Sequence, residues 1–487
     1  MSYKPSGVDV NVLDNPRLIN VGDQTRLVAV VGLGPASVSV TSEAVVRGTG
    51  ATDYLSTYYL TGGITGVNIS VIADRSGVIT GKGNQAISLN GSLYSIASVS
   101  VGDTNGTGSI TWTGSGANVP SSGQTYYVTY TYDSPAAQFN PIVYSDTQHI
   151  YNDKGQENNT IGILSVAGAL VLENGAGGVM LCQVSGSTYS EAAYKTAIDK
   201  LRVKNNIEQL ICVFPIGTTW ADQISLLTYA YSHVKQMTSI GLDRGLVFGS
   251  PTAYYSADGF DAIGDTSTSS SYVYESNLFK DPDAIYTTGG RWRRYDINGN
   301  LMELDGNFAA CAVAGLQCAQ QLRVTPINGF IIHGLIGEDD KWNTFEKNQL
   351  GAGNCTVLQS TGGIVTIYDF LTTDPTSADT IEPTVRSARR LVKRTLQTGL
   401  YNTYTNKGKV ITKNTTIDVE ATTYSILQGM INGGDIYDFG KKDDPSTGEL
   451  QISAQQNRID PRQIDVTCSV KYLYPLKFLS VTVSTYL

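Results

Sequence analysis

The chain has 487 residues, with 34 Lys+Arg against 43 Asp+Glu, and its formal charge of −9 leaves no overall excess of positive charge for nucleic acid. Charged residues make up 16%, where about 25% is usual, while Gly reaches 51 and Tyr reaches 29 against 11 Phe and 4 Trp, so hydroxyls, amides and backbone must form most of the surface. The length predicts about three domains, and 41% hydrophobic residues exclude disorder for most of it.

The first residues, MSYKPSGVDVNV, lack the basic start and apolar core of a signal peptide, and no stretch approaches the roughly 18 apolar residues of a membrane span. A cytoplasmic chain without membrane binding is expected. Val8, Val10 and Val12 alternate with polar residues as a strand with one wet face, and Arg26 to Gly32 (RLVAVVG) has the apolar run of a core strand. Residues 1–34 therefore read as an arm and a first core strand. Residues 35–140 alternate β-formers with turn signals such as Asn90-Gly91 and Asn105-Gly106, the pattern of an inserted all-β domain. From Gly83 through Asp153 there is no Lys or Arg, so this stretch offers phosphates nothing.

Residues 141–340 switch to alternating strands and helices. Thr188 with Glu191 has the spacing of a capping box opening a helix from Tyr189 to Lys204, Gln209 to Phe214 is a buried-type strand, and Ala221 to Ile240 is a helix that Gly241 ends. Gly245 to Gly249 follows as a strand, and short connections imply parallel pairing. Beyond a polar Ser- and Gly-rich loop, Asp258 to Tyr272, come a helix over Asn307 to Gln321 and strands near Gly329 to Ile332 and Gly363 to Phe370. Residues 341–487 form the last domain and end in a second amphipathic strand, in which Leu479, Val481 and Val483 alternate with Ser and Thr. Open strands at the chain ends are templates for pairing, with each other or with a neighbouring chain.

Chemistry-bearing motifs are weak. The six Cys have no CxxC spacing and read as buried thiols, and His149, His233 and His333 stand apart, so no metal site is expected. Gly77 to Gly83 has the wrong spacing for a phosphate loop, and Pro35 interrupts the dinucleotide-like Val31-Gly32-Leu33-Gly34. No catalytic residue and no cofactor is assigned. One charge feature rises above this background: eight basic residues and no acid lie between Thr384 and Ile417. Pro383 to Gly399 reads as a helix with Val385, Ala388, Leu391, Val392 and Leu396 on one arc and Arg386, Arg389, Arg390, Lys393 and Arg394 on the other. Five like charges so close call for acids, either from a partner or from the same subunit, such as Asp435, Asp438 or Asp443.

Taken in order, the opening PSGVDVNVLDNPRLINVGDQTRLVAVVG, the middle run Pro326 to Gly334, the stretch Thr344 to Thr373, the helix VRSARRLVKRTL and the final alternating strand resemble the contractile tail sheath proteins of bacteriophages and related injection systems. The resemblance implies a mixed α/β fold with a core built from both chain ends and an outward-facing β insertion. It implies a non-enzymatic subunit of a virion tail, polymerising with itself as six-fold rings around a tube protein, with baseplate and terminator proteins as further partners. The inter-subunit arms would be Val8, Val10 and Val12 with Leu479, Val481 and Val483, and the basic arc Arg386, Arg389, Arg390, Lys393 and Arg394 would grip an acidic tube. On that reading, changing Arg390 and Lys393 to Glu leaves the monomer folded and weakens tube binding. The competing reading is a glycan-binding or glycan-cleaving tail protein, and a second is the sheath of a headless injection system.

Overall fold

A computed structural model describes residues 26–473, apart from 60–67, 74–79, 83–85, 101–106, 113–121, 134–138, 159–161, 251–275, 289–291, 320–324, 338–341, 406–409, 441–451 and a few single or paired residues. Both arm strands and the Asp258 to Tyr272 loop lie outside the described residues.

The first strand, β1 (Leu27–Leu33), is buried along its whole length, as its apolar run requires. The chain then leaves for an all-β region of eight strands: β2 (Ser37–Val46), β3 (Thr52–Tyr59), β4 (Asn68–Ala73), β5 (Thr80–Lys82), β6 (Ala86–Leu89), β7 (Ser92–Ser100), β8 (Thr107–Trp112) and β9 (Thr125–Asp133). They form two antiparallel sheets, ordered β2-β9-β4-β5 and β3-β8-β7-β6. The first and last strands of this region pair with each other, Ser37 opposite Asp133, so the chain enters and leaves it side by side.

Returning, the chain forms β10 (Ile142–Tyr144), α1 (Thr147–Lys154), α2 (Ile163–Glu173), β11 (Val179–Val184), α3 (Glu191–Asp199), β12 (Ile207–Cys212), α4 (Trp220–Ser239), β13 (Gly245–Gly249) and β14 (Ala284–Thr287). The six-stranded sheet runs β10-β11-β1-β12-β13-β14, parallel throughout except for β10 at its edge. Its inner strands β11, β1, β12 and β13 are buried end to end, which is why they read as continuous apolar runs rather than alternating ones. Thr188 does not cap α3; Ser190 does, its side chain accepting from the Ala193 amide, which starts the helix two residues later than expected.

A second, antiparallel sheet follows from β15 (Trp292–Tyr295), β16 (Leu301–Leu304), β17 (Ile331–Gly337), β18 (Val357–Thr361) and β19 (Ile364–Asp369), in the order β16-β15-β17-β19-β18. It straddles residue 340, where a domain boundary was expected, because β17 on one side of that point pairs with β19 on the other. Between the two sheets lie α2 and α5 (Gly306–Gln317), the latter buried at every position. A helix apolar all round belongs in such an interior. The two helices cross closely: a Cβ on Gly315 would stand 2.5 Å from the Val171 carbonyl oxygen. One hydrophobic core consequently runs from β1 through α2 and α5 to Ile332, Val365 and Ile367 of the second sheet.

After α6 (Thr344–Ala352), α7 (Pro383–Leu400) crosses from this body to a C-terminal part made of α8 (Lys413–Asn432) and two short antiparallel pairs. These are β20 (Asp438–Phe439) with β23 (Val470–Lys471), and β21 (Ser453–Gln456) with β22 (Ile464–Thr467). Val392 and Leu396 of α7 pack there against Leu427, Met430, Phe439 and Val470. The fold is thus mixed α/β with an all-β region inserted after its first strand.

Candidate functional site

The basic arc of α7 is the strongest concentration of charge that the sequence singled out, and the structure turns it inward. The helix lies along the N-terminal ends of the parallel strands, where three acids stand: Glu208 as the second residue of β12, Asp243 two residues ahead of β13, and Asp283 one residue ahead of β14. From Arg386 to Arg394 the helix rises about 12 Å, close to the roughly 10 Å that spans β12 to β14, so one side chain per turn meets successive strand ends.

Arg386 reaches the Asp283 carboxylate at 3.1 Å, and Arg390 bridges Asp283 at 2.7 Å and Glu208 at 2.8 Å. Lys393 meets Asp243 at 2.9 Å, while Arg394 meets Glu208 at 2.8 Å and donates to the carbonyls of Ile207 and Asp243. Arg389 is half-buried, and its charge acts on Asp379, near the start of the helix. The expectation of an exposed basic face for a tube is corrected on Arg386, Arg390, Lys393 and Arg394, whose charge the chain's own carboxylates take up. Glu208, Asp243 and Asp283 are the carboxylates that meet them among the described residues, and Asp443 lies outside those residues.

Burial pushes the Glu208 carboxyl up, but Arg390, Arg394 and Arg26 outweigh it and hold it at about 2. Asp283 is likewise driven up by burial and held at about 2 by Arg386, Arg390 and Lys235. Ser387 and Gln317 extend the network: Gln317 Nε2 donates to Ser387 Oγ at 2.9 Å, and the backbone oxygen of Gln317 accepts from Arg26. Buried pairs of this kind add little net stability over an apolar seam, yet breaking one by removing a partner is expensive, so the network fixes how α7 seats.

Two further buried arginines, Arg294 and Arg244, escaped the sequence reading. Arg294 on β15 is held bidentately by Glu157 (2.9 and 2.7 Å) and by Glu173 (2.7 and 2.6 Å), tying the second sheet to α2 and the segment before it. Arg244, one residue ahead of β13, bonds His233 Nε2 at 2.9 Å and the carbonyls of Leu201 and Lys204. Burial, then repulsion by Arg394, pulls its guanidinium down to about 10, and burial with Arg244 beside it takes His233 down to about 4. The signal that would have found the seam was present: three successive parallel strands each carry an acid at their start, a costly place for a charge unless a cation meets it.

Among the described residues no group of His, Cys, Asp and Glu could hold a metal ion, and no helix is long and apolar enough to cross a membrane. None of the six Cys forms a disulfide, and five of them are buried. The four Trp fall in β8, α4, β15 and the connection ahead of α6. Ligands of open α/β sheets gather at the carboxyl ends of the strands, and α7 lies at the opposite ends, against Glu208, Asp243 and Asp283.

No protein-family model matches the chain, and no curated protein matches it in sequence. Solved structures do match. The helical sheath of the anti-feeding prophage in its contracted state aligns over 100% of both chains, with a TM-score of 0.56 at 10% identity. A chain of that particle's baseplate in the contracted state aligns over 72% of this chain and 88% of its own, with a TM-score of 0.51 at 13% identity. A sheath tail protein of Desulfitobacterium hafniense aligns more loosely, over 96% of this chain and 100% of its own, with a TM-score of 0.44 at 10% identity. At these identities the likeness is one of fold: the chain is similar in fold to a helical sheath protein, in line with the resemblance drawn from the order of the sequence motifs.

Proposed function

We propose that the chain is the repeating subunit of a contractile sheath, which polymerises as stacked six-fold rings around a tail tube and shortens irreversibly to drive that tube through a bacterial envelope. The observation that carries this reading is the alignment with a helical sheath along the whole of both chains, insertion and C-terminal part included. The role is mechanical rather than catalytic. A core continuous between the two main sheets supports a subunit that moves as one body, so that shortening comes from exchanged contacts between copies. Contraction then runs downhill because the shortened packing is lower in free energy than the extended one.

On this reading the arm strands around Val8, Val10 and Val12 and around Leu479, Val481 and Val483 pair with neighbouring copies, and the ends of the polymer meet baseplate and terminator proteins. The tube is a further partner, gripped by surfaces other than the buried arc of α7. A phage tail, with genome ejection through the envelope and a place in the virion, and a headless injection particle would use the subunit alike. The dispersed Trp lend no support to a glycan-binding face.

The test is to express the full chain alone and together with a tube protein from the same gene neighbourhood, and to image the products by negative-stain electron microscopy. Hollow striated cylinders with six-fold end views are expected. A chain that stays monomeric at high concentration, with tube and baseplate proteins present, would overturn the reading.

A further inference from the structure

Arg244 and Lys204 stand beside the α7 seam without joining it. Glu208, Asp243 and Asp283 pair with Arg386, Arg390, Lys393 and Arg394, and among the described residues neither Arg244 nor Lys204 meets a carboxylate. Arg244 is only 2% exposed, and its guanidinium donates to His233 Nε2 at 2.9 Å and to the carbonyls of Leu201 and Lys204. Those bonds occupy its protons and leave its charge, because neutral acceptors restore only part of the solvation that a buried guanidinium gives up. Nor does the nearby end of α4 supply the missing negative charge: its carbonyls at Met237 and Thr238 already accept from the amides of Ile240, Gly241 and Leu242.

Both cations line an open cleft of ≈ 330 Å³, together with Arg394, Asp243, Gln397 and Tyr401. Ligand sites occupy about 300–1,000 Å³, so the cleft has room for a small charged group and its first waters. Three chain segments wall it: the approach to β12, the approach to β13 and the last turns of α7. Among the described residues Asp243 is the one carboxylate in that wall, and Lys393 already holds it at 2.9 Å. Arg394 pairs with Glu208 yet still sets its charge against Arg244. Lys204 is half-buried at the mouth, and the amide of Gln397 and the hydroxyl of Tyr401 add neutral donors. Three cations therefore converge on a space whose own acid is taken.

We propose that this cleft is an oxyanion site, in which a carboxylate or phosphate group sits between Lys204 and the Arg244–Arg394 pair. Such a group supplies the negative charge that Arg244 lacks inside the chain and relieves the repulsion between the two guanidiniums. The site does not depend on the sheath reading.

The experiment uses the full-length chain, kept dilute as monomer, so that failure to polymerise bears on the sheath reading alone. Inorganic phosphate is titrated at constant ionic strength while the melting temperature is followed by calorimetry and the imidazole signals of the three His by NMR. A saturable rise in melting temperature is expected, with the His233 signal moving along the same curve, since His233 accepts from Arg244, and with His149 and His333 unmoved. Lys204→Gln is expected to weaken phosphate binding about tenfold, the size of one charge-assisted hydrogen bond, and Lys204→Arg to restore it. Arg462→Gln, which removes an exposed cation outside the cleft, is expected to change nothing. Arg244→Met is expected to abolish binding; should it fail to fold, the Lys204 variants still decide. Sedimentation of concentrated protein then separates the two sources of the anion. Copies that part as phosphate fills the cleft assign it to a neighbouring copy's carboxylate, and sedimentation unchanged by phosphate assigns it to a free oxyanion. Absence of saturation, an unmoved His233 signal, full binding by Lys204→Gln, or equal weakening by Arg462→Gln would overturn the site.

Discussion

Arg390 shows how much depends on a single side chain in the seam. Its guanidinium contacts Glu208 and Asp283, which are almost completely buried, so Arg390→Met is expected to leave two carboxylates without their nearest cation and to lower stability by about 3–5 kcal/mol in chemical denaturation. Changing Arg390 and Lys393 together to Glu sets negative charge against Glu208, Asp283 and Asp243; the expected outcome is an unfolded or aggregated subunit, not a folded one that has lost its tube. The acid response follows from the same groups. Glu208 and Asp283 have folded values of about 2, below their ordinary 4.5 and 3.8, so their contribution is present above pH 4.5 and is lost as the pH falls toward 2. His233, held down at about 4 from 6.5, begins to destabilise the fold earlier, as pH drops below 6.5. Burial pushes the Asp305 carboxyl up to about 6, which stabilises the fold as pH falls from there and opposes His233 over the same range, so the His233 contribution is expected as a difference between two profiles of unfolding free energy against pH. Relative to the native protein, His233→Gln is expected to gain stability between pH 6.5 and 4, and coincident profiles there would show that this imidazole is not buried neutral.

Elements were legible to the extent that their own residues determine them. Gly245 to Gly249 was read to the residue, and α4 to within one residue at each end, because a terminal Gly and an unbroken period are local signals. The two arcs of α7 were also legible, since helical spacing alone separates Val385 and Val392 from Arg386 and Arg390. What covers the charged arc was not, because its carboxylates lie between 103 and 186 residues away along the chain and no window of sequence contains both partners. The same non-locality hid the sheet that straddles residue 340. For the insertion the structure sharpens an expectation: with β2 and β9 paired at its neck, joining Gly34 to Phe139 by a short linker removes the region without stretching the body. The shortened chain is expected to keep the native unfolding midpoint within a few degrees and still to form contracting sheaths, as assessed by calorimetry and electron microscopy. Loss of contraction with assembly intact would place working parts in the insertion.

At the scale of the whole molecule, folding and assembly are expected to separate. Deleting Met1 to Leu13, or Leu479 to Leu487, removes residues beyond the core described above, so the truncated monomer is expected to stay folded while polymer disappears. Sheath-length tubes from either truncation would rule this out, and an unfolded monomer would show that the arms pair within one subunit. The position of β1 has a kinetic consequence as well. It is the first strand of the core to leave the ribosome, yet both its neighbours, β11 and β12, come from residues 179 onward. At a synthesis rate of about 5–20 residues per second, the roughly 145 intervening residues take about 7–30 s, long enough for the insertion to fold while LVAVVGL stays unpaired. During that interval a strand apolar on both faces and open along both edges is a target for holdase chaperones and for other nascent copies, so yield in the cell is set by how the first strand is guarded until its neighbours are made.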